Sequence, residues 1–396
     1  MPSRPYDAVP YPTYPRIETH PDRLASVAAL AGMRAAAVTR CRVLEIGCGD
    51  GGNLIPMAYF LPESEFLGID LAGRAIAQGR EFVRELKLKN IDLREADFRT
   101  LVAGEFDYIV AHGLYSWLPP DVRDRLIALG AERLAPEGVA YISYNTWPGR
   151  HERHVLREIL LYQLRDVRAP KQRLREARRL LTTIGTPAAR AMAAEPDDLL
   201  FHDDLAPVND SVWFRDFEAH AARHGLQYLG DAGPGPAIRD DEQYDDFVRM
   251  RAFRQSLLCR AGRKLRKPAA ALMPQFLFSS KDVAPLSDAY PLPVPFHELL
   301  DYGATENDLF ELYRRGAVQL HVWDFPCEES PGDRPRATRL ARAQAKRSKF
   351  VTGIAHHLVE LDESDRELLL GCDGRRRVIS PRVEWFARMG LLESRS

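Results

Sequence analysis

The chain has 396 residues, 45% of them hydrophobic, with 55 Lys and Arg against 56 Asp and Glu. That length holds one large domain or two ordinary ones, and the apolar content excludes wholesale disorder. The balanced charge gives no bulk attraction to nucleic acid or to a membrane surface. The five cysteines form no C-x-x-C pair, which argues against a zinc ribbon or a redox dithiol. No apolar run approaches the roughly 20 residues that span a bilayer, and no secretory leader is read at Met1. A cytoplasmic protein is expected.

Residues 1–16 are rich in proline and tyrosine, among them Tyr6, Tyr11 and Tyr14. They read either as a loose tail or as an arm folded over a pocket. From Thr19 the spacing of Leu24, Val27, Ala28 and Leu30 predicts a helix, capped by Thr19 or Asp22. Strands are then predicted at Cys41–Ile46, Phe66–Ile69, Ile91–Ala96, Phe106–Ala111 and Gly138–Tyr144. Helices at 54–61, 72–88 and 121–134 come between them, implying a parallel sheet with crossovers.

The arginine-rich stretch 151–205 breaks this rhythm and reads as a helical insertion. A helix at 214–225 and strands at 226–229 and 255–261 complete the sheet. Lys264–Pro268 reads as a linker. Beyond it helices are predicted at 296–300, 306–315, 338–358, 364–370 and 383–389. The expected division is therefore 1–263, with an N-terminal arm and helix at 1–40 and the insertion at 151–205, followed by a second domain at 264–396.

The chemistry concentrates after the first strand, in Glu45-Ile46-Gly47-Cys48-Gly49-Asp50-Gly51-Gly52-Asn53. Glycines let the backbone turn sharply and approach a ligand, and the helix that follows offers free N–H groups. Gly47, Gly49 and Gly52 also satisfy the dinucleotide spacing G-x-G-x-x-G, so the loop alone does not separate a dehydrogenase from a methyltransferase. Asp70 ends the second strand, where an acid suits a ribose diol. Asp97-Phe98 follows the third, where an acid can accept from an adenine amino group and a ring can pack on the base.

Together, E-x-G-C-G-x-G-x-N, G-I-D-L at Gly68–Leu71 and A-D-F at Ala96–Phe98 resemble the class I S-adenosylmethionine-dependent methyltransferases. The resemblance is strong over about 41–150. It implies a Rossmann-like seven-stranded sheet, S-adenosylmethionine as cofactor and S-adenosylhomocysteine as product. The implied cofactor residues are His20, Glu45, Gly47, Cys48, Gly49, Asn53, Asp70, Leu71, Asp97, Phe98, His112 and Gly113. Of these, Glu45 would order the loop or meet the methionine ammonium, Asp70 would hold the ribose and Asp97 would read adenine.

Further segments resemble a subgroup with a methyltransferase regulatory domain, which includes rickettsial protein-lysine methyltransferases. These are Tyr11-Pro12, Thr19–Leu24, Tyr144–Gly149, His202–Leu205, Trp213-Phe214 and Phe253–Leu258. The tail at 373–392 is similar to that subgroup's small winged-helix-like end. Trp147 stands where the subgroup often carries tyrosine, which bears on substrate choice.

Methyl transfer needs a lone pair, alignment and a dry pocket more than a strong catalytic group. Candidates therefore lie at the carboxyl ends of the fourth and fifth strands. Tyr115, Tyr144 and Asn145 are expected to orient the acceptor, with Tyr11 from the arm as cover. His112 is placed to contact the cofactor or act as a base. Each aromatic is equally readable as loop packing.

His151 and His154 lack further metal ligands, and His356-His357 read as structural residues on a helix; no metal site is expected. The basic stretches Arg334–Lys349 and Arg375–Arg377 read mainly as solvated faces.

The expected activity is methyl transfer to a protein lysine. A small-molecule acceptor is the close second, and a non-catalytic cofactor-binding module is the rival from another class. The absence of an Asp/Asn-Pro-Pro-Tyr loop argues against nucleic acid as substrate. Homodimerisation is left open.

Overall fold

A computed structural model describes residues 13–101, 104–233, 241–327 and 331–393. Seven strands form one sheet: β1 Arg42–Ile46, β2 Glu65–Asp70, β3 Ile91–Glu95, β4 Phe106–Ala111, β5 Leu134–Asn145, β6 Leu226–Asp231 and β7 Phe253–Arg260. Their order is β3-β2-β1-β4-β5-β7-β6. The first five run parallel, and β7 pairs antiparallel with both β5 and β6. The order reverses between β1 and β4, and open α/β sheets bind ligands outside the carboxyl ends at such a point.

The central strands β1, β4 and β5 are buried on both faces and are largely apolar, while the edge strands β3 and β6 are only partly buried. Successive side chains on β1 alternate between two cores. Val43 joins one with Leu54, Met57 and Tyr108, while Leu44 and Ile46 join the other with Ile109, Leu126 and Phe217. Glu45 shares the side of Val43 and is 5% exposed.

The helices around the sheet are α1 Pro21–Leu30, α2 Leu54–Phe60, α3 Gly73–Leu86 and α4 Pro120–Arg133. The insertion follows as α5 His151–Gln163, α6 Pro170–Ile184 and α7 Pro187–Ala193. It has its own core of Leu156, Leu160, Leu174, Leu181 and Met192. Arg153 ties it together, bonded to both Glu195 and Asp204. A π-helical turn at Leu200–Asp204 closes it, and α8 Phe214–Arg223 and α9 Glu242–Arg249 return to the sheet.

After β7 the chain forms a three-stranded sheet, β8 Leu277–Ser279, β9 Val294–Pro295 and β10 Gln319–His321, in the order β10-β8-β9. Then come α10 Glu306–Arg314, preceding β10, and α11 Arg339–Ala345, the hairpin β11 Phe350–Thr352 and β12 Leu358–Glu360, α12 Glu363–Gly371 and α13 Pro381–Arg388. Trp323, Phe325, Leu340 and Ile354 share the core of Val43 and Leu54, so this part packs directly on the sheet domain.

α1 is the second weld. Asp22 Oδ1 accepts from the amides of Val322 and Trp323 at 2.8 and 3.0 Å. Asp22 Oδ2 lies 2.7 Å from His321 Nδ1, and His321 Nε2 lies 2.7 Å from Ser279 Oγ. The string has the residues of a hydrolase triad, but Ser279, His321 and Asp22 are 1%, 3% and 4% exposed, so it acts as a brace.

Three expectations are corrected. The cap of α1 is His20, whose Nδ1 accepts from Asp22 N, while Thr19 is buried against Asn53. Residues 338–358 are not one helix: Gly353 and the β-branched Val351, Thr352 and Ile354 end it after Ala345 and favour the hairpin. His356 and His357 consequently sit in the hairpin turn, His356 at φ +57°. The small strands at 277–279, 294–295 and 319–321 were missed because two or three residues carry no readable period.

Candidate active site

The glycine loop leaves β1 and is held by the end of β2. Gly47 N and Cys48 N donate to Ile69 O at 2.8 and 3.2 Å. Gly49, at φ +57°, donates its N–H to Asp70 Oδ2 at 2.9 Å, a backbone state in which a side chain would be strained. Asp70 Oδ1 accepts from Ala72 N at 2.7 Å. The half-buried Asp70 carboxylate therefore fixes the loop, and each oxygen keeps a lone pair for a hydroxyl donor.

Beneath the loop lies a buried polar network. Asn53 Nδ2 donates to Glu45 Oε1 at 2.8 Å and to Thr19 Oγ1 at 3.0 Å. Asn53 Oδ1 accepts from Arg16 N at 2.9 Å and from His356 Nε2 at 2.9 Å. The amide is thus fully engaged, so Asn53 acts by orienting Glu45 and does not reach a ligand. Glu45 Oε2 is buried with no partner among the described residues. Burial pushes the Glu45 carboxyl up to about 7, against the pull of the Asn53 hydrogen bond.

His20 stacks at 5.7 Å on Trp323 and lies 5.1 Å from the ring of His356. Burial holds His20 neutral, its pKa lowered to about 4. Above the loop, Thr13 Oγ1 donates to Asp50 and accepts from Gly52 N at 2.8 Å. A Cβ on Gly52 would collide with the carbonyl of Thr13, so the end of the N-terminal arm rests on this loop. Tyr11 lies outside the described residues.

Other predicted positions divide. Leu71 is 48% exposed at the end of β2. Cys48 is 1% exposed and faces inward, since a Cβ on Gly68 would lie 2.8 Å from its Sγ. Asp97 is gripped by Arg99, whose Nε lies 2.9 Å from Oδ2, and this pair holds the carboxyl below its ordinary range. Phe98 packs in the core with Leu44 and Ile46.

Gly113 N donates to Ser143 Oγ at 2.8 Å. His112 Nδ1 lies 2.8 Å from the Tyr141 hydroxyl. Burial lowers the His112 pKa to about 3, so the ring is held neutral.

The tyrosines expected to orient an acceptor are core residues. Tyr144 is 0% exposed, stacks at 4.2 Å on Phe217 and meets Ser256 Oγ at 3.1 Å. Tyr115 is 3% exposed, with its hydroxyl 2.7 Å from His220 Nδ1. Asn145 is 2% exposed, and its Nδ2 donates to Asn209 Oδ1 at 2.6 Å. All three shape the end of β5 from within.

The exposed aromatic groups nearby belong to other residues. Trp147 lies 5.3 Å from His154 and 6.3 Å from Trp213, which lies 5.8 Å from Phe247. Phe253, paired with Asn145 in the β5–β7 register, meets His112 at 5.8 Å. Trp213, Phe247 and Phe253 are 41%, 47% and 36% exposed. Sequence reasoning did not give these three a chemical role, because the antiparallel return of β7 that places Phe253 beside Asn145 has no local signal.

Three family descriptions match the chain: a methyltransferase domain over 43–138, a predicted methyltransferase regulatory domain over 196–240, and the C-terminal winged helix domain of PKMT over 333–378. The uncharacterized protein RP028 of Rickettsia prowazekii is 31% identical over 240 residues, 57% of this chain and 96% of that protein. The chain belongs to this methyltransferase family. The uncharacterized protein RP789 of the same organism is 36% identical over 297 residues, 66% of this chain and 54% of that protein. The methyltransferase chain thus matches about half the length of RP789.

The structure of PKMT2 from Rickettsia typhi has a TM-score of 0.83 at 22% identity, covering 97% of this methyltransferase and 100% of that chain. The same protein in complex with AdoHcy has a TM-score of 0.79 at 24% identity, covering 93% and 89%. At that identity the likeness establishes the shared fold, with its seven-stranded sheet and C-terminal winged helix.

S-adenosylmethionine is the methyl donor of such methyltransferases, and the residues present fit it. The unpartnered Oε2 of Glu45 is a buried acceptor for a cationic group. Asp70 retains acceptor capacity, while Thr13 and Leu114 cover the glycines, so these side chains must shift for a ligand to approach the loop.

Proposed function

We propose that the protein is an S-adenosylmethionine-dependent methyltransferase acting on a protein lysine amine. The observation that carries the reading is Glu45: a carboxylate buried under a glycine loop, one oxygen held by Asn53 and the other without a partner among the described residues. A buried charge without a partner is costly, so a cationic ligand relieves it. In this reading Glu45 takes the methionine ammonium, Asp70 the ribose hydroxyls and Asp97 the adenine edge, after Arg99 yields.

The bound donor supplies an electrophilic sulfonium methyl. The protein supplies alignment and an approach edged by partly exposed aromatic rings. Trp147, Trp213, Phe247 and Phe253 suit a cationic or alkyl acceptor, since ring faces attract an ammonium. A lysine has a reference pKa of about 10.4, and burial against such rings favours the neutral amine that attacks. His112, held neutral, contacts the cofactor side without taking the proton. The winged-helix region is proposed to dock the protein substrate.

The test is incubation with isotopically labelled S-adenosylmethionine and lysine-bearing proteins, followed by mass spectrometry of the labelled peptides. Label on lysine side chains supports the reading. Label only on small molecules replaces the acceptor class, and cofactor binding without any transfer favours a binding module.

A further inference from the structure

We propose that Asp124, His220 and His224 form a binding site for a divalent transition-metal ion, of the zinc, cobalt or nickel kind, separate from the cofactor cleft. The site lies where α4 meets α8. His220 and His224 are four residues apart at the end of α8, a spacing that puts both rings on one helix face. Asp124 on α4 lies opposite them. Its Oδ1 is 3.0 Å from His220 Nε2 and 2.8 Å from His224 Nε2.

The three ligand atoms lie within 4.8 Å of one another, and no other trio of His, Cys, Asp or Glu among the described residues meets that condition. In a tetrahedral shell with zinc–nitrogen distances of about 2.0–2.1 Å, ligand atoms stand about 3.3 Å apart. Small shifts of these three side chains create that shell.

An outer partner is already present. His220 Nδ1 lies 2.7 Å from the Tyr115 hydroxyl, and a hydrogen bond on the far nitrogen is what fixes a ligating imidazole. Without the ion, each ring's Nε2 faces the Asp124 carboxylate, an acceptor, and so carries its proton there. With the ion, that proton moves to Nδ1 of the same ring and Nε2 coordinates, so a neutral ring loses no proton. On His220 the new Nδ1–H then donates to the Tyr115 oxygen, which accepts where it had donated.

Exposure is graded across the site: His220 is 7% exposed, the His224 side chain 21% and the Asp124 side chain 53%. The rings are anchored and the carboxylate side is open, leaving a coordination position for water or a further ligand. Two imidazoles and one carboxylate favour borderline ions over magnesium or calcium. The ion would also brace the acceptor side of the fold. Tyr115 packs 5.7 Å from Tyr144, and the adjacent Ser116 Oγ accepts from Asn145 N at 2.8 Å.

The test uses full-length, metal-free protein titrated with zinc in competition with a chromophoric chelator, and with cobalt read by its visible d–d absorption. His224→Gln and Asp124→Asn are the variants, both at the open side of the site and away from the apolar core. Wild type is expected to bind zinc at micromolar concentration or below and to give the intense cobalt spectrum of a four-coordinate site. Each variant should weaken zinc by at least about tenfold and abolish that spectrum, while the melting temperature of the metal-free protein stays unchanged. Identical titrations of wild type and both variants, or no wild-type binding below millimolar zinc, would overturn the proposal.

Discussion

His356 and Asn53 are 303 residues apart in sequence and joined by a hydrogen bond, Nε2 to Oδ1, at 2.9 Å. Asn53 in turn holds Glu45, so a turn in the C-terminal hairpin sets the orientation of a carboxylate under the glycine loop. His356→Ala removes one donor from a buried amide. A neutral hydrogen bond contributes about 0.5–1.5 kcal/mol, so affinity for S-adenosylhomocysteine should fall about three- to tenfold. His356→Asn, which tolerates the positive φ and keeps a donor, should recover part of it. Calorimetry on both variants checks this; unchanged affinity in the alanine variant would remove the link between the hairpin and the site.

Glu45 gives a pH dependence with a definite sign. Its carboxyl is raised to about 7 by burial, so the free protein binds a proton there below that pH. A cationic ligand needs the carboxylate, so binding is strongest above pH 7 and weakens on acidification, by up to about tenfold per unit. Stability of the ligand-free protein runs the other way for this group. The folded state keeps a proton that the unfolded chain loses between about 4.5 and 7, so Glu45 opposes folding increasingly as pH rises through that window. Binding measured from pH 5.5 to 8 should show the slope in wild type and a flatter line in Glu45→Gln.

Arg254 is fully buried between Asp231, Asp246 and Glu242, and lies 4.2 Å over the ring of Phe214. Arg254→Ala would leave three acidic groups without their shared cation. The expected loss is about 3–5 kcal/mol, read as a large drop in melting temperature or as insoluble protein. A variant that melts with wild type would mean that Arg251, also paired with Asp231 and Asp246, suffices alone.

Gly52→Ala tests whether the arm rests on the loop. The added methyl would meet the Thr13 carbonyl, so the arm must lift. Tryptic cleavage after Arg16 should accelerate in the variant. Equal cleavage rates would show that Thr13 is not seated there.

The sheet was legible because β1, β2, β4 and β5 are largely apolar runs with helices between or after them, and because the loop at Gly47–Gly52 follows the first of them. Glu45, Gly49 and Asp70 were singled out because they lie at the first strand, its glycine loop and the end of the second strand, and the resemblance supplied their proposed roles. The roles of Asn53 and His20 could not be read in this way. They depend on His356 and Trp323, brought in by a hairpin whose turn breaks the apparent helical period of 338–358. Tyr115 and Tyr144 were expected at the acceptor because they follow strand ends. Strand position does not reveal that Phe217 from α8 stacks on Tyr144 and that His220 takes the Tyr115 hydroxyl. The basic stretch is partly internal: Arg347 pairs with Glu85 and covers Phe82, and Lys349 pairs with Glu360 at 2.5 Å. No helix among the described residues is long and apolar enough to cross a membrane.

The glycine loop and Asp70 are the proposed binding site for S-adenosylmethionine. Calorimetry of wild type and Asp70→Ala with that ligand tests it most directly. Asp70 holds both Gly49 and Ala72 amides, so its removal takes away a ribose acceptor and the brace of the loop. Micromolar binding by wild type, about −8 kcal/mol, and loss of measurable heat in the variant are expected. A well-folded wild type that does not bind, or an Asp70→Ala protein that binds equally well, would contradict that assignment.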